Sequence, residues 1–151
     1  MFEFVEFVKN YLKDCFAADN DISAQKKPEI YDAYKVQHEP KQTQPEIQVQ
    51  IMNNYEQVNY TTFCGVQAVS IPLQFTAYTG QLNIAKKPYN AQQGSVKLAE
   101  KVIKYIYDLI YSQNNDIQFG RHITSSPALP MNEGGTVYAT SVRFDFIVKQ
   151  D

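Results

Sequence analysis

The sequence predicts an α+β fold, in which a mainly antiparallel sheet of four or five strands carries two helices packed on one face. Two segments repeat apolar residues at the period of a helix, and other segments alternate apolar and polar residues at the period of a strand. The predicted strands follow one another through turns, without a helix between each pair, which is typical of an antiparallel sheet. With 151 residues, 44% of them hydrophobic, the chain predicts one domain over residues 1–151.

The first helix is predicted over residues 2–16. Its apolar residues recur at i, i+3 and i+7, which gives the helix one broad apolar face. This face comprises Phe4, Val5, Phe7, Val8, Tyr11, Leu12 and Cys15. The polar run Asp19-Asn20-Asp21 is predicted to end the helix in a loop.

Two strands and a loop are predicted next. Residues Glu29–Gln37 alternate imperfectly and predict a strand, and residues 38–45 hold two prolines among polar residues and predict a loop. Ile47, Val49 and Ile51 alternate with glutamines, which predicts a half-buried strand.

The strongest strand prediction covers residues 70–79, where Ile71, Leu73 and Phe75 alternate with polar residues. Residues 55–69, just before it, favour a strand by composition but show no clear period.

A second helix is predicted to begin after Asn90, because Asn90 and Gln93 have the spacing of a capping box. It continues to about Ser112, and Asn114-Asn115 ends it. Its apolar stripe comprises Val96, Ala99, Val102, Ile103, Ile106, Leu109 and Ile110.

The last part of the chain predicts two strands. Ile117, Phe119 and Ile123 mark the first, which Ser125-Ser126-Pro127 closes. A loop over Ala128–Gly135 then leads to a long final strand over residues 136–149. Its shared apolar face comprises Tyr138, Thr140, Val142, Phe144, Phe146 and Val148.

The middle of the chain is poor in charge and rich in amides and tyrosines. The chain has 15 Gln and 10 Asn against 16 Asp and Glu, and residues 42–85 hold only two charges, Glu46 and Glu56. Interface cores lose Lys, Glu and Asp and gain Tyr, Phe and Met. Two of the predicted strands explain parts of this stretch as sheet, and what remains, residues 53–69, predicts a segment that is buried between neighbouring subunits.

The sequence predicts no catalytic, cofactor or metal site. His38 and His122 have no Cys, Asp or His at ligand spacing, and no glycine pattern fits a phosphate loop. A triad of His122, Asp116 and a serine lacks the nucleophile elbow. Two cysteines, Cys15 and Cys64, are too few for a disulfide framework and indicate buried thiols in a reducing compartment.

Membrane insertion and nucleic-acid coating are also not predicted. The N-terminus lacks a basic start and an uninterrupted apolar run, and no segment has the apolar length that crosses a bilayer. The net charge of −2 and the pI of about 5.7 argue against a protein that coats nucleic acid.

The basic residues allow two interpretations each. The pairs Lys26-Lys27 and Lys86-Lys87 are typical of solvated loops. Lys97, Lys101 and Lys104 share one helix face, which is either water-facing or a contact for phosphates or an acidic partner. Arg121 and Arg143 lie on predicted strands, either at a simple surface or paired with a carboxylate across a subunit contact.

The order of elements resembles that of the tail terminator proteins (tail completion or neck proteins) of tailed bacteriophages. The stretches that carry this resemblance are PEIQVQIMNNYEQVNY, SIPLQFTAYTG, NAQQGSVKLAEKVIKYIYDLI and IQFGRHITSSPALPMNEGGTVYATSVRFDFIV. In particular, the second helix is followed by a Ser-Pro loop at Ser126-Pro127 and then by a final long strand over Thr136–Val148. The resemblance covers nearly the whole chain and rests on element order.

The resemblance implies a structural virion protein, assembled in the host cytoplasm. Its homo-hexameric ring would cap the tail tube, end the polymerisation of the tube protein and join the tail to the head-side connector. DNA would pass through the ring without being read by sequence, and no catalysis or cofactor is implied. A ring closes by heterologous contacts, so each subunit needs two different contact surfaces.

We expect these contacts in residues 38–45, 53–69 and 127–135. The candidate contact residues are Met52, Tyr55, Tyr60, Phe63, Arg121, Pro127, Leu129, Met131 and Arg143. Three alternatives stay open: another neck ring such as a head-closure or tube-like subunit, a small α+β enzyme or ligand-binding domain with Tyr and His122 lining a pocket, and direct DNA binding through the lysine face.

Overall fold

Two α-helices and nine strands form the part of the chain that the computed structural model describes, which is residues 2–32, 43–52, 59–61, 67–112 and 116–149. The helices are α1 (Phe2–Ala18) and α2 (Ala91–Tyr111), and a short 3-10 turn spans Ala24–Lys26. The strands are β1 (Glu29–Asp32), β2 (Glu46–Ile51), β3 (Asn59–Thr61), β4 (Gln67–Thr79), β5 (Leu82–Ile84), β6 (Lys87–Tyr89), β7 (Ile117–Ser125), β8 (Leu129–Pro130) and β9 (Tyr138–Lys149).

Seven of these strands form one mixed sheet. Its five main strands run in the order β1-β2-β4-β9-β7, while the short β3 pairs with β4 and the short β8 with β9. The β1–β2 pair is parallel and every other pair is antiparallel. The predicted α+β class with two helices and a mainly antiparallel sheet is confirmed, and the sheet has more strands than the four or five predicted.

Both helices pack against the same face of the sheet. Phe4 of α1 meets Phe146 edge to face at 5.2 Å between ring centroids, and Tyr107 of α2 meets Phe144 at 5.4 Å. Phe144 and Phe146 lie two residues apart on β9, so their side chains project from the same face. The same face of β4 supplies Leu73 and Phe75, which are fully buried.

The helix α1 buries a stripe narrower than the predicted one. The buried apolar residues of this helix are Phe4, Val5, Val8, Leu12 and Phe16. Phe7 is 44% exposed, because it lies one step outside the i, i+4 row that faces the sheet. The helix ends at Ala18, just before the polar run predicted to end it.

The helix α2 begins as predicted. The Asn90 side chain accepts a hydrogen bond from the amide of Gln93 at 2.8 Å, which satisfies one of the free amides of the first turn. Most of its predicted stripe is buried, but Val96 is 36% exposed. The interface with the sheet contains a buried polar pair, Ser95 and Thr140, whose hydroxyl oxygens are 2.8 Å apart.

Several strand boundaries differ from the prediction. The first strand is described only as Glu29–Asp32, and the rest of its predicted span lies outside the described residues. The strand β4 begins at Gln67 rather than at residue 70, and β3 pairs with this added part. Residues 59–61 and 67–69 are therefore sheet within the subunit, and the expectation that all of residues 53–69 form a contact loop is wrong for them.

A small hairpin that the sequence did not predict joins the sheet to α2. The strands β5 and β6 are linked by Ala85 and Lys86, whose φ angles are 52° and 65°. Two consecutive left-handed residues match the twist of a two-residue hairpin, but they are costly for side chains other than glycine. The amide of Ala85 donates to the carbonyl of Asp21 at 2.8 Å and so holds the turn against the loop after α1.

The substitution Ala85→Gly is expected to stabilise the protein. Ala85 is exposed, so the loss of its methyl group removes no packing, while glycine relieves the left-handed strain. We expect a gain of about 1 kcal/mol, which for a chain of this size raises Tm by roughly 2–4 °C. Thermal unfolding followed by circular dichroism measures it. The control Asn83→Gly, at an exposed strand position with ordinary φ, should lower Tm instead, and a lower Tm for Ala85→Gly would contradict the strain argument.

Candidate assembly surface

One edge of the main sheet is built by β7 and β8 in succession. Both strands pair with β9 on the side opposite β4, β7 from Val148 to Val142 and β8 at Ala139 and Tyr138. Between them, the amide of Ser126 donates to the carbonyl of Ser141 at 2.8 Å. We call this edge, residues 117–131, the β7–β8 edge.

The β7–β8 edge exposes four large apolar side chains. Their exposed fractions are Phe119 52%, Ile123 39%, Leu129 51% and Met131 43%. Among the described residues, only Phe7, Val96 and Tyr111 are other exposed large apolar side chains, and all three lie on helices. Clustered exposed apolar side chains are typical of interaction surfaces, which makes this edge the candidate assembly surface of the described residues.

Two bulges interrupt the alternation of β7 and decide which face of the sheet Phe119 occupies. The register between β7 and β9 shifts between Ile117 and Phe119 and again between His122 and Thr124. Each bulge adds one residue and reverses the alternation. Phe119 therefore lies opposite Ile147, on the face away from the helices.

Gly120 lies opposite Phe146, on the face of the sheet that packs against the helices, so this core position of β7 has no side chain. A Cβ atom at Gly120 would lie 2.7 Å from Cδ1 of Ile110, so α2 approaches the backbone of β7 closely here. The exposure of Phe119 and Ile123 was not predicted from the sequence, although the isolated Gly120 inside an apolar strand is a signal for a bulge.

The predicted contact residues of the 127–135 segment lie on or next to this edge. Pro127 is exposed, Leu129 lies in β8 and Met131 follows it, with its amide bound to the carbonyl of Val137 at 2.8 Å. The prediction of a plain loop over residues 128–135 is wrong at Leu129 and Pro130, which pair with β9.

The two arginines differ in surroundings. Arg121 is exposed on β7, opposite Asp145, and within the described part of the chain it makes no hydrogen bond or ion pair. Arg143 is half-buried, and its Nε lies 3.4 Å from Oδ1 of Asp145. Arg143 therefore has an acidic partner within its own chain, whereas the Arg121 side chain is exposed.

The contact residues predicted in the middle of the chain are described only in part. Met52 is half-buried at the end of β2, and its amide donates to the carbonyl of Pro72 at 3.2 Å. The backbone of Tyr60 lies in β3, opposite Ala68, rather than in a loop. Tyr55 and Phe63 lie outside the described residues.

The opposite end of the sheet buries its polar groups instead of exposing apolar ones. Glu46 is 1% exposed and accepts a hydrogen bond from the hydroxyl of Tyr31 at 3.1 Å, and Tyr78 donates to Gln48 at 3.3 Å. Burial, and next the charge of Glu46, raise the pKa values of Tyr31 and Tyr78, so both hydroxyls stay protonated donors. The β1–β2 end is therefore internally satisfied.

His122 lies against Phe144 with its Nε2 2.8 Å from Oγ of Ser125 and 3.1 Å from the carbonyl oxygen of Thr124. A carbonyl oxygen only accepts, so the contact with Thr124 is a hydrogen bond in the tautomer that carries its proton on Nε2, and in that tautomer Ser125 accepts from the ring rather than losing its proton to it. Asp116 makes no hydrogen bond to this ring. Asp116, His122 and Ser125 therefore do not have the hydrogen bonds of a catalytic triad in the described part of the chain.

The lysine face of α2, which comprises Lys97, Lys101 and Lys104, does not face water along its whole length, because Lys101 binds carboxylates of the same chain. Lys101 donates to Asp19 at 2.8 Å and to Asp21 at 3.2 Å, and its side chain is 17% exposed. Burial alone would lower the pKa of Lys101, but these two carboxylates outweigh it and raise that pKa. Lys97 pairs with Glu100 at 3.6 Å. Since Lys101 is bound internally, the three lysines do not form one contact line for phosphates.

Two clefts of about 780 Å³ and 560 Å³ lie beside the β5–β6 hairpin and the start of α2, and His122 lines neither of them. No three His, Cys, Asp or Glu side chains come together as a metal site among the described residues. Neither described helix has the length and apolar character needed to cross a membrane. Cys15 is a half-buried free thiol, and Cys64 lies outside the described residues.

No family model matches the chain, and no curated protein matches it at a significant level.

Proposed function

We propose that this chain is a structural assembly subunit that works like the phage tail terminators its sequence resembles. Copies of the chain close into a homo-hexameric ring in the virion neck. One side of the ring caps the tube protein and stops its polymerisation, and the other receives the head-completion or connector protein. The subunit is assembled in the host cytoplasm without a membrane, and it has no catalytic role, cofactor or metal in this function.

The observation that carries this proposal is the exposed apolar β7–β8 edge. Phe119 and Leu129 both project from the face away from the helices, because their partners Ile147 and Ala139 are on that face of β9. Each of the two is about half exposed, at 52% and 51%. Burying apolar surface contributes about 25 cal/mol per Å², so a partner that covers this edge gains several kcal/mol.

The two edges of the sheet suit a heterologous contact, in which two different surfaces of each subunit meet. The β7–β8 edge is apolar and open, whereas three of the four residues of β1 at the other edge are buried. A contact of the β7–β8 edge with a different surface of the next copy generates a ring when the rotation closes. Arg121, exposed on this edge, is placed to bind a carboxylate of the neighbouring subunit.

The double substitution Phe119→Asp/Leu129→Asp is expected to hold the protein as a monomer. It places two charges in the centre of the proposed contact, where they would have to be buried without partners. We expect the wild type to show the mass of six copies in native mass spectrometry and the variant to weaken association at least 100-fold. Capping of purified tail tubes should be lost in parallel.

The control is Phe7→Asp/Val96→Asp, which adds the same charge at two exposed apolar residues on the helices. This variant should keep the oligomer and the capping activity. A wild type that stays monomeric at all concentrations and does not bind tail tubes would sink the proposal. If Phe119→Asp/Leu129→Asp left the oligomer unchanged, the β7–β8 edge would not be the interface between subunits.

The alternatives make different predictions in the same assays. A tube-like subunit would extend into long polymers rather than stop at a ring, and a head-closure subunit would bind connectors but not tube ends. A small enzyme or ligand-binding domain would be a monomer or dimer. Its activity would fall on substitution of His122, whose ring Nε2 lies within hydrogen-bond distance of Thr124 and Ser125.

A further inference from the structure

The fold brings together two short basic motifs that are far apart in the sequence. Lys26-Lys27-Pro28 and Lys86-Lys87-Pro88 have the same three residue types and are separated by 60 positions. Lys26 ends the 3-10 turn after α1, and Lys86 lies at the tip of the β5–β6 hairpin. Both line one cleft of about 780 Å³. Its lining comprises Asn20, Asp21, Ser23, Lys26, Gln81, Leu82, Asn83, Ala85 and Lys86.

The charge around this cleft is opposite to that of the chain. The chain carries a net charge of −2, but the cleft and its surroundings hold the four lysines of the two motifs and Lys101 against Asp19 and Asp21. Lys101 neutralises much of the acidic charge, since it binds both carboxylates. The lysines of the two motifs are thus the excess charge of this surface.

Three of these lysines keep donors for a ligand. Lys27 donates its ammonium to the carbonyl of Asp19 and so supports the loop. Lys26 donates once, to the carbonyl of Thr43 at 2.5 Å, which leaves two further N–H donors of its ammonium. Lys86 and Lys87 are exposed, and the ammonium group of neither one makes a hydrogen bond or ion pair in the described part of the chain.

The hairpin holds Lys86 in place at a cost in backbone strain. Lys86 has a φ of 65° and follows Ala85 at 52°, in a turn where glycine or asparagine is the usual residue. The hydrogen bond from the amide of Ala85 to the carbonyl of Asp21 ties this tip to the loop that leads to Lys26. The strained turn therefore fixes the two basic motifs beside each other.

We infer that this cleft binds the phosphate backbone of nucleic acid without reading its sequence. Lysines together with side-chain amides and hydroxyls are the groups that contact phosphate oxygens. The cleft supplies them as Lys26 and Lys86 with Asn20, Ser23 and Asn83. Among the described residues that line it, Leu82 and Ala85 are the apolar ones, so this part of the cleft offers few apolar contacts for the side chains of a protein partner. In the proposed ring, this cleft would contact the DNA that passes through. That role rests on the proposed function, but the binding of phosphate by the cleft does not.

Fluorescence anisotropy with a fluorescein-labelled 20-base-pair duplex of arbitrary sequence tests the inference. With about three lysine–phosphate contacts, raising the salt from 50 to 200 mM should weaken binding about 40-fold. The substitution Lys86→Gln/Lys87→Gln should raise Kd about tenfold or more at 50 mM salt and flatten the salt dependence by close to two contacts. A second duplex of different sequence should bind equally well.

The matched control is Lys104→Gln/Lys149→Gln, which removes two exposed lysines that do not line the cleft. It should leave Kd within about twofold. Equal losses in both variants would mean that only net charge matters, and no loss in either would place any DNA contact elsewhere; both results overturn the inference. Binding of polyglutamate but not of duplex would also overturn it, in favour of an acidic protein partner.

Native mass spectrometry of the same samples separates this inference from the proposed function. If the cleft variant loses DNA binding but remains a six-copy ring, both stand. If the wild type binds duplex in a salt-dependent way through Lys86 and Lys87 but never forms a ring, the proposed function fails and the cleft assignment stands.

Discussion

The substitution Phe144→Ala is expected to destabilise the subunit by about 3–5 kcal/mol, the largest effect of any change considered. Phe144 is fully buried, and its ring contacts those of Phe75, Tyr107, His122 and Phe146 at centroid distances between 5.3 and 6.2 Å. Truncation to alanine leaves a cavity in the layer where α2 meets the sheet. Because whole domains are stable by only about 5–15 kcal/mol, this loss is a large part of the total.

Urea unfolding followed by circular dichroism at one fixed protein concentration measures the change. The milder Phe144→Leu should lower the free energy of unfolding by less than Phe144→Ala does. It provides a measurement even if the alanine variant does not fold. The control Phe119→Ala removes the same ring from an exposed position and should change the subunit's own stability by less than about 1 kcal/mol. Equal losses at Phe144 and Phe119 would contradict the burial difference between them.

The sequence predicted best those elements whose periodic pattern is decided by one buried face. The final strand is the clearest case, since Val142, Phe144 and Phe146 were all placed on the core face and are all buried. The helix α2 was also predicted from its cap and its stripe, and the Asn90 hydrogen bond confirms the cap. In both elements local chemistry and tertiary packing favour the same structure, so a single-sequence pattern is enough.

The prediction of secondary structure failed at two kinds of place. In one, a single extra residue changes the register of a strand, and in the other, a hairpin turn is built from residues that are unusual in such turns. The bulges of β7 moved Phe119 to the outer face, and no periodic pattern contains that information. The β5–β6 hairpin turns at Ala85 and Lys86, which are not hairpin residues by composition, so the sequence showed only a basic loop. The exposure of Phe119 and the basic cleft depend on these two features, so the sequence located the apolar edge only at Pro127, Leu129 and Met131 and did not locate the cleft.

The ionic link between Lys101 and Asp19 was also out of reach of the sequence. It joins residues 82 positions apart, and from spacing alone Lys101 belonged to an exposed helix face. Only the packing of α2 beside the end of α1 brings the ammonium within 2.8 Å of the carboxylate. Such long-range pairs are set by tertiary structure, so they appear only once the fold is known.

The substitution Asp19→Asn is expected to cost about 2–3 kcal/mol at pH 7, because it leaves a half-buried lysine with only its weaker partner. Asp19 is 8% exposed, and its Oδ2 accepts from Lys101 at 2.8 Å and from the hydroxyl of Tyr105 at 2.5 Å. Its Oδ1 accepts from the amide of Asp21 at 2.9 Å. The control Asp14→Asn, at an exposed position near the end of α1, should change stability by less than about 0.5 kcal/mol.

The cost of Asp19→Asn should shrink as the pH falls, and this dependence identifies the carboxylate charge as the cause. Burial on its own raises the pKa of Asp19, but the hydrogen bonds from Lys101, Tyr105 and the Asp21 amide outweigh it and hold that pKa below its ordinary value. Its contribution is therefore complete above the unfolded pKa of about 3.9 and disappears as the pH falls through the lower folded value. Urea midpoints of wild type and variant should run apart at pH 7 and converge as the pH falls below the ordinary pKa range of a carboxyl group. If the difference between the two urea midpoints stayed constant with pH, the charge of Asp19 would not be the cause of its contribution. Asp19 would then act through its shape and its hydrogen bonds, which the loss of the charge leaves in place.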